Sequence, residues 1–185
     1  RTLPNIPKVG ISMQIPKEFD AMTWFGRGPH ENYLDRKSSA KVDIYSGKVS
    51  DQFHPYIRPQ ESGNKTDVRW ATFRNVDGDG LLVRGLLSLN ASHYLQEDYD
   101  HGFGEMKSGA TGNIKTTKQQ RHSIDMVERE LINLDIDLVQ MGIGGEDSWW
   151  AQPLEKYQIK PKNYDYSFTL MPIKSDENPV ELNKN

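Results

Sequence analysis

Hydrophobic and polar residues alternate in several short runs along the chain, and this period of two predicts strands rather than helices. Val9, Ile11, Met13 and Ile15 interleave with Gly10, Ser12 and Gln14, giving a first strand that Pro16 ends. Ala21 to Phe25, Val42 to Tyr45 and Val68 to Phe73 read as further short strands, and Leu81 to Val83 as another. Between Leu131 and Val139, Ile132, Leu134, Ile136 and Leu138 alternate with Asn133, Asp135 and Asp137, the pattern of a half-buried strand. Tyr157 with Ile159, and Tyr164, Tyr166, Phe168 and Leu170 against Asp165, Ser167 and Thr169, give two late strands. Only Ser92 to Asp98, an N-cap followed by helix formers, predicts a helix. Loops are expected where glycine and proline gather, at Gly26 to Tyr33, Gln52 to Glu61 and Gly102 to Gly112. The sum is an all-β sandwich, with residues 1–173 as one domain and the polar stretch 174–185 as a frayed tail.

The strand at Leu131 to Val139 runs into Gln140-Met-Gly-Ile-Gly-Gly-Glu-Asp-Ser-Trp149. Gly142, Gly144 and Gly145 allow a tight turn there, one that would throw Glu146, Asp147, Ser148 and Trp149 out at the end of the sheet. An indole beside two carboxylates suits a sugar, whose apolar face lies on the ring while its hydroxyls meet the acids. The alternative is that Trp149 and Trp150 cap a core, as most tryptophans do.

At 185 residues the chain is long enough for one domain with a sizeable core. A hydrophobic fraction of 35% and a mean hydropathy of -0.76 are low, but 10% aromatics and the alternating runs argue for a folded chain. The net charge is -3, with Lys and Arg scattered, so neither nucleic acid nor an anionic membrane is indicated as a partner. Absence of cysteine removes disulfides, thiolate metal sites and Cys nucleophiles together. Compartment stays open, because a cysteine-free domain is stable in either redox setting. The opening Arg1-Thr-Leu-Pro reads as a loop entered from something earlier, which makes the chain a piece of a longer polypeptide.

Several motifs fail on their spacing. His30-Glu31 would begin a zinc-protease signature only with His at position 34, which is Leu34. Asn75-Val-Asp-Gly-Asp-Gly80 imitates a calcium loop, but the position for its closing Glu holds Leu86, so a hairpin turn is expected. Gly142-Ile-Gly-Gly lacks the helix a dinucleotide site needs. His30, His54, His93, His101 and His122 have no ligand spacing, and no metal site is expected. Retaining glycosidases need two carboxylates about 5–5.5 Å apart. Glu31, Glu61, Glu146 and Asp147 are loop candidates, with no catalytic residue expected among them.

Three longer motifs taken together carry a resemblance: Trp24-Phe-Gly-Arg-Gly-Pro-His-Glu-Asn-Tyr33 with Asp35-Arg36, Pro55-Tyr-Ile-Arg-Pro-Gln-Glu-Ser-Gly-Asn-Lys65, and Met141-Gly-Ile-Gly-Gly-Glu-Asp-Ser-Trp149. In this order they resemble the C-terminal domain of family 2 β-galactosidases, and Lys118-Gln-Gln-Arg-His122 is similar to the Bacteroides-type form. The resemblance implies a β-supersandwich of the galactose-mutarotase-like kind, lacking its first strands, within an enzyme that hydrolyses terminal β-galactosides with retention. It also implies that the catalytic glutamates, a magnesium ion and a monovalent cation belong to an upstream barrel, and that this chain uses no cofactor of its own. Implied partners are a lactose-like galactoside, the upstream domains of the same polypeptide and further copies of the enzyme. Trp149 would line the mouth of the active site on the aglycone side, with Glu146, Asp147 and Ser148 shaping its loop. Arg27, Asp35 and Arg36 would tie loops together by charge-assisted hydrogen bonds. A stand-alone sugar-binding module or an aldose epimerase of the same fold is the competing expectation. An epimerase would need one of His30, His54, His93 or His122 to share a pocket with Glu31, Glu61 or Glu146.

Overall fold

A computed structural model of the protein describes residues 5–57, 60–99, 122–145 and 151–183. The described chain is all-β, as expected, and takes the form of one seven-stranded antiparallel sheet. Its strands are β1 (Lys8–Pro16), β2 (Ala21–Gly28), β3 (Lys41–Lys48), β4 (Lys65–Arg74), β5 (Gly80–Ser92), β6 (Leu131–Gln140) and β7 (Thr169–Ile173). They lie in the order β1-β6-β5-β4-β2-β3, with β7 also pairing β5. The long strand β5 is the spine. It pairs β4 on one side, while along the other it takes β7 at Gly80 to Arg84 and β6 at Ser88 to Ser92.

Alternation along β5 divides the sheet into two faces. Val83, Leu87, Leu89 and Ala91 point one way and join Trp24, Phe73, Ile132, Leu134 and Ile136 in the main core. On the other face Leu82 packs with Trp70 and Ile173, whereas Ser88, Asn90 and Ser92 stand opposite Asp137, Asp135 and Asn133 of β6. The hairpin between β4 and β5 turns through Asn75 to Asp79, where the Asn75 amide donates to the Asp79 carbonyl at 2.9 Å. The turn expected in place of a calcium loop is therefore present.

Four expectations are corrected. Gly26, Arg27 and Gly28 remain in β2 instead of opening a loop, because all three pair with β3 and the side-chain-free Gly26 lets β2 pass close to Val68 of β4. Ser92 ends β5, so the helix shrinks to one turn, α1 (Gln96–Tyr99). Glu155–Tyr157 forms a single 3₁₀ turn and Ile159 makes one isolated bridge to Ile6, so no strand forms there. In the last predicted strand, ladder pairing begins only at Thr169, opposite Arg84, the residue at which β5 and β7 part. Tyr166 and Phe168 precede that ladder, yet they still stack on each other at 5.7 Å and pack against the core.

The end of the described chain is tied down rather than frayed. Arg74 donates to the carbonyls of Lys174 at 2.9 Å and Glu177 at 2.6 Å. Asn178 caps the short helix α2 (Pro179–Leu182) by accepting from the Val180 amide, and Leu182 packs on the Trp70 cluster. The loop expected at Gly102 to Gly112 lies outside the described residues.

Candidate functional site

The three motifs singled out in the sequence converge at one end of the sheet. Where β6 ends, Met141 donates its amide to the Pro7 carbonyl and Gly142 to the Tyr157 carbonyl, so the turn is held from both sides. Asp35 then accepts from the amides of Ile143 at 3.1 Å and Gly144 at 2.8 Å. Gly144 and Gly145 have φ of +63° and +80°, the conformation that excludes most side chains. Gly142 serves differently: a Cβ there would stand 2.7 Å from the Asp35 carboxyl carbon. Beyond the turn, the Gly145 amide donates to the Ala151 carbonyl at 3.1 Å, so the chain leaves and returns at one hydrogen-bonded point. Glu146, Asp147, Ser148 and Trp149, the residues expected to meet substrate, lie between those two ends and outside the described residues.

The Gly26-to-Arg36 and Pro55-to-Lys65 motifs are fastened to each other beside this turn. The buried Asn32 side chain accepts from the Thr66 amide and hydroxyl, and the Asn32 backbone amide donates to the Asn64 carbonyl. Glu31 accepts from the Tyr56 hydroxyl, the Tyr33 hydroxyl at 3.0 Å and the Gly63 amide at 2.8 Å. Burial alone would raise the Glu31 pKa, but these three donors outweigh it and hold the carboxyl below its ordinary value. The same arrangement pushes the Tyr56 hydroxyl up to about 12, through burial and the bond to Glu31. Arg27 binds Asp67 at 2.5 Å and the Ala40 carbonyl at 2.7 Å, tying loops as expected, and Asp35 does so at the turn. Arg36 makes no such side-chain bond among the described residues. Its backbone bridges to Tyr33, and the residue lines a pocket.

That pocket, of about 230 Å³, is bounded by Tyr33, Arg36, Tyr56, Gln60, Glu61 and the Ile143 to Gly145 turn. Tyr56, Gln60 and Arg36 are residues that sequence reasoning did not select for substrate. Their signal was membership of the two motifs read as architecture.

Glu61 also borders a larger groove of about 920 Å³ over β1 and β6. There Lys8 pairs with Asp135 at 2.7 Å and Glu61 at 3.2 Å. Burial would lower the Lys8 pKa, and the two carboxylates more than reverse it. Asp137, only 2% exposed, fits beside Gly10, where a Cβ would stand 1.9 Å from its Oδ1. Burial, reinforced by Asp135 and Glu61 against the pull of Lys8, pushes Asp137 up to about 7. Another buried charge is Lys65, which donates to the Gly63 carbonyl and lies over the Trp24 ring; burial pushes it down to about 8.

The histidines are dispersed among other partners. His93 pairs with Asp20 at 3.0 Å and with the Leu131 carbonyl, His30 meets Ser39, and His122 lies near Asp125. His54 packs edge-on against Tyr56, and His101 is outside the described residues. Among the described residues no cluster of three or more His, Asp or Glu could hold a metal ion.

Known proteins share this sequence pattern. Residues 1–170 match the family model described as the β-galactosidase small chain. The β-galactosidase of Priestia megaterium is 39% identical over 93% of the chain, and that of Pseudoalteromonas haloplanktis 35% over 91%. The β-galactosidase BgaC of Bifidobacterium adolescentis is 31% identical over 85%. The chain spans only 14–15% of the length of these relatives. With the family model matched over nearly its whole length, the chain belongs to the β-galactosidase small-chain family.

Proposed function

We propose that this chain is the carbohydrate-contacting C-terminal domain of a retaining β-galactosidase. In this reading it forms the aglycone-side wall of an active site whose catalytic glutamates lie in an upstream barrel. The observation that carries it is the convergence of three sequence motifs on the Gly142 to Gly145 turn, with the Gly145 and Ala151 backbones joined at its base. The segment Glu146 to Trp150 thus departs from and returns to a point next to the pocket of Tyr33, Arg36 and Tyr56. Trp149 is the sugar platform in this reading, and Glu146, Asp147 and Ser148 supply hydrogen bonds around it. Magnesium and the monovalent cation are assigned to the upstream barrel.

The epimerase reading is less well supported. It needs a histidine acid and a free carboxylate base in one pocket. The histidine beside this pocket, His54, stands against Tyr56, and the neighbouring Glu31 already accepts three hydrogen bonds.

Kinetics of the full-length enzyme test the proposal. Trp149→Ala removes a contact made equally with substrate and transition state, so KM rises by the equivalent of about 1–3 kcal/mol while kcat changes little. An unchanged KM overturns the platform role. The isolated chain, incubated with a chromogenic β-galactoside, gives no turnover.

A further inference from the structure

We propose that the groove over β1 and β6 is a second carbohydrate-binding site, one that takes a neutral di- or trisaccharide. Its floor is set by strand register. Ser12 stands opposite Asp135 and Gln14 opposite Asn133, so four polar side chains form a patch on adjacent strands. Lys8, Glu61 and Gln140 also line it, and so do Leu95 to Glu97. A volume of about 920 Å³ is at the upper end for small-molecule sites and leaves room for two or three sugar rings.

The lining selects the ligand class. Among the described residues Pro7 and Leu95 are its only apolar members, and the rest present polar or charged groups on aliphatic stems. One described cation, Lys8, lines it and is already paired with Glu61 and Asp135, while the third carboxylate, Glu97, is paired with Arg129 at 2.6 Å. Among the described residues no lining cation is left over to hold a phosphate, a nucleotide or an acidic sugar. The described carboxylates do not form a metal cluster. What fits is an uncharged ligand whose hydroxyls both donate and accept, matching amides, carboxylates and a hydroxyl on adjacent strands.

A separate observation points the same way. Asn90 is 3% exposed, yet its Oδ1 has no hydrogen-bond partner among the described residues; its Nδ2 donates to Glu61, which borders the groove. Oδ2 of buried Asp137 and Oε1 of Gln140 are likewise unpartnered among the described residues, and Gln140 lines the groove. Buried acceptors without donors are rare in folded proteins, and these three lie together on β5 and β6 beside the groove floor. Because Glu61 also borders the pocket beside Gly144, a sugar held here stands next to that pocket without depending on Trp149.

Calorimetric titration of the full-length polypeptide with raffinose, cellobiose and maltotriose tests this, since none of the three is a β-galactoside. Binding of at least one is expected. The double variant Gln14→Ala/Asn133→Ala, whose changes sit on the groove floor outside the main core, should weaken it roughly tenfold or more by removing two hydrogen-bonding side chains. Trp149→Ala should leave it unchanged. No binding by the wild type, equal binding by the double variant, or loss on Trp149→Ala each overturns the proposal. A preference for glucuronic acid over these neutral probes overturns the ligand class. The KM test of Trp149 reads the platform role alone, so the two can fail separately.

Discussion

Strand β5 carries one row of side chains across a single face of the sheet, and the two halves of that row have opposite chemistry. In the first half Leu82 meets Trp70 and Ile173, and Leu182 of α2 packs against them. In the second half Ser88, Asn90 and Ser92 meet Asp137, Asp135 and Asn133. Leu82 and the three polar residues are buried, with half-buried Arg84 and the 67% exposed Leu86 between them, but only the apolar cluster gains from leaving water. A buried polar row must be paired to be tolerated, and among the described residues the pairing is incomplete, with acceptors left open at Asn90 and Asp137. The difference teaches that one half of this face is built for stability and the other is a polar network that opens on the groove at Asp135 and Asn133.

Substitutions should separate the two halves. Trp70→Ala on the apolar half is expected to have the largest effect, a loss of about 3–5 kcal/mol in urea unfolding, because it empties a site that is 4% exposed. A loss below about 1 kcal/mol would mean that α2 and β7 do not close this half in solution. On the polar half, Lys8→Met leaves Asp135 and Glu61 without their shared cation, and it is expected to destabilise by about 1.5–3 kcal/mol. Adding Asp135→Asn should recover part of that loss. If Lys8→Met is silent, the ion pairs are a surface feature and the contrast between the halves disappears.

Much of the sheet was legible in the alternating runs, since β1, β4 and β6 follow the predicted positions closely. The pattern could not reveal what covers each face. Asp135 and Asp137 occupy the polar phase of an alternation that is ordinarily solvent-facing, yet they are 4% and 2% exposed, because β6 is flanked by β1 and β5 and the chain around it supplies Lys8 and Glu61. Tyr164 to Phe168 show the converse failure: Tyr166 and Phe168 do reach the core, but the segment finds no ladder partner until β5 offers Gly80 to Arg84 to the residues that follow. Likewise the polar tail gave no sign that Arg74 would hold its carbonyls from a distant strand. As for the site, Asp35 and the glycine turn were visible as motifs, whereas the roles of Tyr56 and Arg36 arise only from the meeting of two loops.

The smallest expected effect is the most specific to the polar half. Asp137 has its folded-state pKa raised from 3.8 to about 7, chiefly by burial. A raised pKa means the folded protein binds the proton more tightly than the unfolded chain, so between roughly pH 4 and pH 7 the unfolded chain ionises first and stability falls as pH rises. From pH 6 to pH 7 this amounts to about 1 kcal/mol for one such group. Two other perturbed groups act outside that window. Glu31, held below its ordinary value, contributes stability that is lost only as pH falls through the acid range, and Lys65, lowered to about 8, makes stability rise with pH above that point. Asp137→Asn removes the titration while keeping the shape, so unfolding free energies of wild type and variant at pH 6 and pH 7 isolate its contribution. The wild type should lose about 1 kcal/mol more than the variant over that interval. Equal losses would mean that Asp137 stays ionised through neutrality as a partner of Lys8, and the polar half would then be an ordinary paired network rather than one with an unmet hydrogen-bonding capacity.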